Sequence, residues 1–120
     1  PPLEVVGGPG PRAEWTGVNE RGQFRPRSVV VPAGVLDADD RRRLVEDGEP
    51  VARPRRASVL LVFLLDDRQA CLVAIIDRSA NTNAAALARR AAAEAFTCPV
   101  KARIPGRRSA ALSNLVGQSR

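Results

Sequence analysis

Two unbroken apolar runs, Val59–Leu65 and Cys71–Ile76, stand at the centre of the chain and are separated by Asp66, Asp67, Arg68, Gln69 and Ala70. Neither run alternates apolar with polar residues. Runs of this length, rich in Val, Leu and Ile, predict two strands covered on both faces and joined by a turn over residues 66–70. A single helix crossing a bilayer is excluded, because Asp66, Asp67 and Arg68 would sit at its midpoint, each at a cost of about 2.5–3.5 kcal/mol.

The remaining periodicity adds smaller elements. Ser28–Val31 is a short β-branched run ended by Pro32, which predicts a strand near a sheet edge. Residues 35–48 predict a short helix, with Asp37 as N-cap and Gly48 as its stop. After Asp77–Thr82, which supplies several N-cap candidates, residues 83–96 are nearly all Ala and predict a second helix on which Leu87, Ala91 and Ala95 share one side. Pro99–Pro105 suits one more short strand. Residues 1–27, with the breaker cluster GGPGPR, read as an extended arm with a loose hairpin at residues 18–24 and two large anchors, Trp15 and Phe24. From Gly106 the chain reads as a basic tail.

This order predicts an α+β domain over residues 28–105: a small antiparallel sheet around a central hairpin with one or two helices, for which the split βαβ arrangement is the commonest template. The two helices offer little apolar surface against two doubly apolar strands. A second copy of the chain supplies the missing cover most simply. The candidate dimer-interface residues are therefore Val59, Leu61, Val62, Phe63, Leu65, Cys71, Val73, Ile75, Leu87 and Ala91, with the arm available to other proteins.

Composition narrows the chemistry. The chain has 120 residues and a net charge of +6, with no His, Met or Tyr. The missing His removes most general-base and zinc chemistry. The acidic clusters, Asp66–Asp67 and Asp37, Asp39, Asp40, fall where turns and helix first turns favour Asp. There is no phosphate-cradling glycine loop. The pattern predicts no catalytic residue, no metal site and no cofactor. Cys71 and Cys98 have no metal-ligand spacing and read as small buried thiols of a reducing, intracellular compartment, with a disulfide between them as the alternative. The chain opens on Pro, which points to a fragment of a longer protein or a processed product, and no secretory leader is evident.

Charge is unevenly spread. Residues 78–120 hold eight basic residues against Glu94 alone, a net +7, whereas residues 1–77 hold eleven Arg against twelve acids, a net −1. Arg53, Arg55, Arg56, Lys101, Arg103, Arg107 and Arg108 are the candidates for a polyanion-binding patch, and a basic nucleic-acid-binding module is the alternative to assembly. Phe63, the one aromatic of the β runs, is expected inside, which leaves no stacking platform on the strands.

Residues 72–96, LVAIIDRSANTNAAALARRAAAEAF, resemble the C-terminal region of the immediate-early RING-type ubiquitin ligases and transactivators of alphaherpesviruses. The shared elements are the apolar strand ending Ile75-Ile76-Asp77, then Ser79, Asn81, the helix of Leu87–Ala92, and Phe96. Over roughly residues 28–96 the order of elements is compatible. The resemblance implies a self-association region of a nuclear viral regulatory protein, with the cysteine-rich RING that transfers ubiquitin outside this stretch. No catalytic residue of that family falls on this sequence.

Overall fold

The computed structural model describes residues 3–7, 13–36, 38–50, 56–67, 69–109 and 112, the side chains of 3–7, 35, 36, 38, 56 and 57 excepted. Its centre is an antiparallel sheet of five strands in sequence order: β1 (Leu3–Gly7), β2 (Glu14–Glu20), β3 (Gln23–Leu36), β4 (Arg56–Leu65) and β5 (Ala70–Asp77). A short helical excursion, α1 (Ala38–Arg41) running on into the π-helical Arg42–Glu46, links β3 to β4, and helix α2 (Ala84–Glu94) follows β5. The fold is a small α+β domain built around the β4–β5 hairpin. Asp66 and Gln69 close that hairpin through reciprocal backbone hydrogen bonds of 2.8 and 3.3 Å, at the expected turn. The five named strands form a meander joined by antiparallel pairings, unlike the split βαβ template, in which helices link parallel strands.

The stretch expected to be a free arm contributes two strands and the start of a third. Trp15 pairs with Val29 and Val6 with Trp15, so residues 3–7 and 14–20 extend the same sheet. The expected hairpin is present: β2 and β3 are joined by Arg21-Gly22, both at positive φ (53° and 79°), as a tight two-residue loop requires. β3 is also longer than expected and lies inside the sheet, not at its edge. β2 ends opposite Val30, so at Pro32 β3 has only β4 as a partner, and the missing N–H of Pro32 interrupts no second ladder.

Two β-bulges adjust the side chains. Thr16 pairs with Ser28 and Gly17 with Pro26, which leaves Arg27 as the extra residue of β3. Likewise Val62 pairs with Ala74 and Phe63 with Leu72, leaving Val73 extra on β5. At the first bulge the backbones approach so closely that a Cβ on residue 17 would run into the Arg25 carbonyl and lie 2.8 Å from the Pro26 Cα. A Gly17→Ala protein should therefore be destabilised by about 1–3 kcal/mol, the usual cost of overpacking against groups that cannot yield. Its urea midpoint, compared with the parent's, measures this.

The sheet has two differently covered faces. On one, Val30, Leu60, Val62, Leu64, Val73, Ala74 and Ile76 pack under Ala84, Ala88 and Ala92 of α2. The alanines bring helix and sheet backbones together, since no long side chain holds them apart. The buried stripe of the helix is thus Ala84-Ala88-Ala92, with Leu87, Ala91 and Ala95 half-buried beside it. On the opposite face Val59 is fully buried by Leu112, with Ala33, Leu61, Ile75 and Ile104 around them. The excursion at 38–46 contributes no residue to either cluster. Asp37, the expected cap, lies outside the described residues.

Candidate assembly face and C-terminal strap

Pairing register determines which side chains share the second face. Trp15, Val29, Phe63 and Leu72 stand opposite one another on β2, β3, β4 and β5, and Val31, Leu61 and Ile75 form the next row on β3, β4 and β5. Leu65 continues β4 on the same face because side chains alternate along a strand. Among the described residues, Ile104 and Leu112 pack on this face against Val59, with Leu61, Ile75 and Ala33 around them. Val31, Leu61, Phe63, Leu65, Leu72 and Ile75 remain half-buried, and Trp15 is 40% exposed.

The structure thus divides the residues expected at a dimer interface. Leu61, Phe63, Leu65 and Ile75 lie on the partly open face. Val62 and Val73 are sealed under α2, with Leu87 and Ala91 on the helix itself, so these four belong to the core of one chain. Val59 is enclosed by Leu112. Cys71 is on the α2 side and is bonded to Cys98, with a Cα–Cα distance of 5.8 Å. The expectation of two unpaired thiols is corrected here. β5 and the chain just after α2 carry the two cysteines to one place, a proximity that sequence spacing does not show.

Three further ties fasten α2 and its C-terminal end to the sheet, and all of them come from the supposed arm. Glu14 on β2 accepts a forked pair of hydrogen bonds from Arg89, at 2.8 Å from Nη2 and 3.1 Å from Nε. That bonding raises the Arg89 pKa above its ordinary value. Arg27, turned toward α2 at the bulge, donates to the carbonyls of Ala93 (3.2 Å) and Ala95 (2.6 Å), which the end of the helix leaves without intrahelical partners. Its guanidinium also lies 4.5 Å from the centroid of the Phe96 ring.

Beyond α2 the chain returns along the outer edge of β5 as a strap. Arg103 makes the one bridge of the short strand expected at residues 99–105: its N–H donates to Val73 O at 3.0 Å, and its carbonyl accepts from Ile75 N at 2.9 Å, in parallel sense. Residues 106–109, expected to start a loose tail, are held by side chains from the end of β5. Asn81 accepts from Arg107 N (2.9 Å) and donates to Arg107 O and Asp77 O (2.8 Å each). Gly106, at φ +81°, passes so near that a Cβ there would be 2.6 Å from Asn81 Oδ1.

Asp77 anchors this latch. It is fully buried, yet its carboxylate accepts from the N–H groups of Ser79 (3.0 Å), Ala80 (3.2 Å) and Ser109 (2.6 Å), and from the Ser109 side chain. Burial by itself would raise its pKa; the hydrogen bonds from Ser109, Ala80 and Ser79 outweigh that and hold it below 3.8. Ser79 in turn accepts from Ser58 N at 3.1 Å. Asp77 and Asn81, two of the residues that carry the resemblance, thus anchor the strap, and Ser79, a third, ties β4 to the end of β5.

The expected polyanion residues also separate. Lys101, Arg103, Arg107 and Arg108 are exposed along the strap. Arg56 opens β4 opposite Leu36, and Arg53 and Arg55 lie outside the described residues. Among the described residues there is no group of three or more His, Cys, Asp or Glu placed to hold a metal ion, and no helix long and apolar enough to cross a membrane. Compared with protein-family models, with curated proteins and with solved structures, the chain gives no match.

Proposed function

We propose that this chain is an assembly module that pairs with a second copy of itself through the partly open sheet face. The observation that carries this reading is the apolar surface formed by Trp15, Val31, Leu61, Phe63, Leu65 and Leu72, on a sheet whose other face α2 already seals. A contiguous apolar patch of this kind is what contact surfaces use, because it gains free energy when water leaves it. Two copies related by a two-fold axis would lay the same rows against each other, each filling the other's uncovered layer.

The resemblance of residues 72–96 supports a self-associating region of a larger viral regulatory protein. The nuclear location it carries is opposed by the Cys71–Cys98 bond, since reducing compartments keep thiols open. No residue arrangement here suggests catalysis, and none is proposed.

Solution mass tests the reading. The chain should sediment as a dimer at micromolar concentration. Phe63→Asp, which places a charge in the middle of the face and leaves the α2 core intact, should give a folded monomer. A parent chain that is monomeric and cooperatively folded under the same conditions would refute it.

A further inference from the structure

The described cations differ in how they are paired. Arg25, Arg42, Arg43, Arg89 and Arg90 are paired with Glu20, Asp47, Glu49, Glu14 and Glu94. Lys101, Arg103, Arg107 and Arg108 are exposed and, among the described residues, have no ion pair. After Glu94 the sequence contains no acid at all. The carboxylate of Asp77, at the latch, is turned inward onto N–H donors. The strap is therefore a run of positive charge that no ion pair among the described residues neutralises.

Its backbone is also fixed. Arg103 is bridged to β5, Arg107 is bracketed by Asn81, and Ser109 is held by Asp77. A ligand meeting these cations has little main chain to order on binding, which lowers the entropy cost of association. Beside them stands an aromatic ring. Phe96 is 77% exposed, with the Arg27 guanidinium 4.5 Å from its centroid, and it lines, with Arg103, Ala95 and Pro99, a cleft of about 200 Å³ between the end of α2 and the strap, whose one carboxylate, that of Glu94, is paired with Arg90. Phe63 stands on the sheet and offers the strands no stacking platform; Phe96, beyond the end of α2, supplies an exposed ring.

Extended, unpaired cations next to an exposed ring match one class of polyanion better than others. A single strand of nucleic acid presents both phosphates and flat bases that are free to stack. A duplex keeps its bases stacked on each other, and a sulfated polysaccharide has no aromatic ring. We propose that the strap binds single-stranded nucleic acid without regard to sequence, with phosphates on Lys101, Arg103, Arg107 and Arg108 and a base against Phe96. This activity is separate from the assembly face and does not depend on it.

The experiment is a fluorescence-anisotropy titration of a labelled oligothymidylate with the full chain, repeated across salt concentrations, with heparin as a second ligand. The expected result is affinity that falls with salt at a log–log slope of roughly −3, for four phosphate contacts on a single strand. Arg107→Ala with Arg108→Ala should lower the magnitude of that slope by about 1.4. Phe96→Ala should weaken oligothymidylate binding about tenfold and leave both the slope and heparin binding unchanged. Near-ultraviolet and far-ultraviolet circular dichroism should match the parent for all variants, since the replaced side chains are exposed. Absence of binding overturns the proposal. So does a Phe96→Ala protein that binds oligothymidylate as the parent does, which would leave only a general affinity for polyanions, or a slope indifferent to the double arginine replacement.

Discussion

An Asp77→Ala protein should lose about 3–5 kcal/mol of stability and release the strap. Three backbone N–H groups and the Ser109 hydroxyl now satisfied by one buried carboxylate would be left without it. Each orphaned donor costs about 1–3 kcal/mol, offset where water can enter the vacated space. Since a domain of this size is stable by roughly 5–15 kcal/mol, the loss would be a large fraction of the whole. Chemical denaturation would show the drop, and amide exchange should quicken first at residues 103–112, where the latch holds. Unchanged protection there would mean that Arg103 and Leu112 suffice without Asp77.

The same group makes stability depend on acid. The folded-state pKa of Asp77 lies below the ordinary 3.8, so the unfolded chain takes up this proton first as pH falls. The contribution is present in full above the ordinary value and is lost as pH drops from there through the lowered one. An Asp77→Asn protein, which cannot titrate, should start less stable at neutral pH and approach the parent below about pH 4. Parallel pH profiles for the two would show that Asp77 is not the group responsible.

Reduction should have an effect of similar size. Cys71 and Cys98 are 27 residues apart, and opening such a loop typically costs about 3 kcal/mol, mainly by freeing the unfolded chain. For a chain of this length that lowers the midpoint of thermal unfolding by about 10 °C. A Cys71→Ser, Cys98→Ser protein should melt with the reduced parent and ignore reductant. The loss would be felt where α2 ends, leaving Arg27 as the tie between β3 and the helix C-terminus. A parent protein whose melting is insensitive to reductant carries free thiols in solution.

The α+β class and the central hairpin were legible because they depend on local pattern. A continuous run of Val, Leu and Ile interrupted by Asp-Asp-Arg-Gln has few stable solutions other than two strands and a turn. A run of alanines after Asp, Ser and Asn has few other than a helix. The extent of β3 was not legible. Pro26 and Pro32 read as breaks, and only the register shows that one lies at a bulge and the other beyond the end of β2. Residues 3–7 and 14–20 were equally obscure, because their apolar residues are sparse and they are strands only by pairing with one another and with β3.

The candidate surfaces show the same division. Four of the residues expected at a dimer interface, Leu61, Phe63, Leu65 and Ile75, lie on the partly open sheet face, since alternation along β4 and β5 puts them on one side. Val62, Val73, Leu87 and Ala91 belong under α2 because a helix covers one face only, and the sequence does not say which. Lys101, Arg103, Arg107 and Arg108 were visible as charge. That they sit on a fixed strap beside Phe96 depends on Asp77 and Asn81, whose acceptors and donors reach partners about thirty residues away.

By itself, then, the sequence determined the secondary elements of the middle of the chain, the surplus of apolar strand surface and the basic C-terminal third, all consequences of residues close to one another in the chain. Only the tertiary structure decided which strand face α2 seals, that Cys71 meets Cys98, and that the N-terminal stretch and the strap belong to the sheet. Those outcomes rest on contacts between residues dozens of positions apart. Such contacts form only after the chain has closed its loops, and no local pattern encodes them.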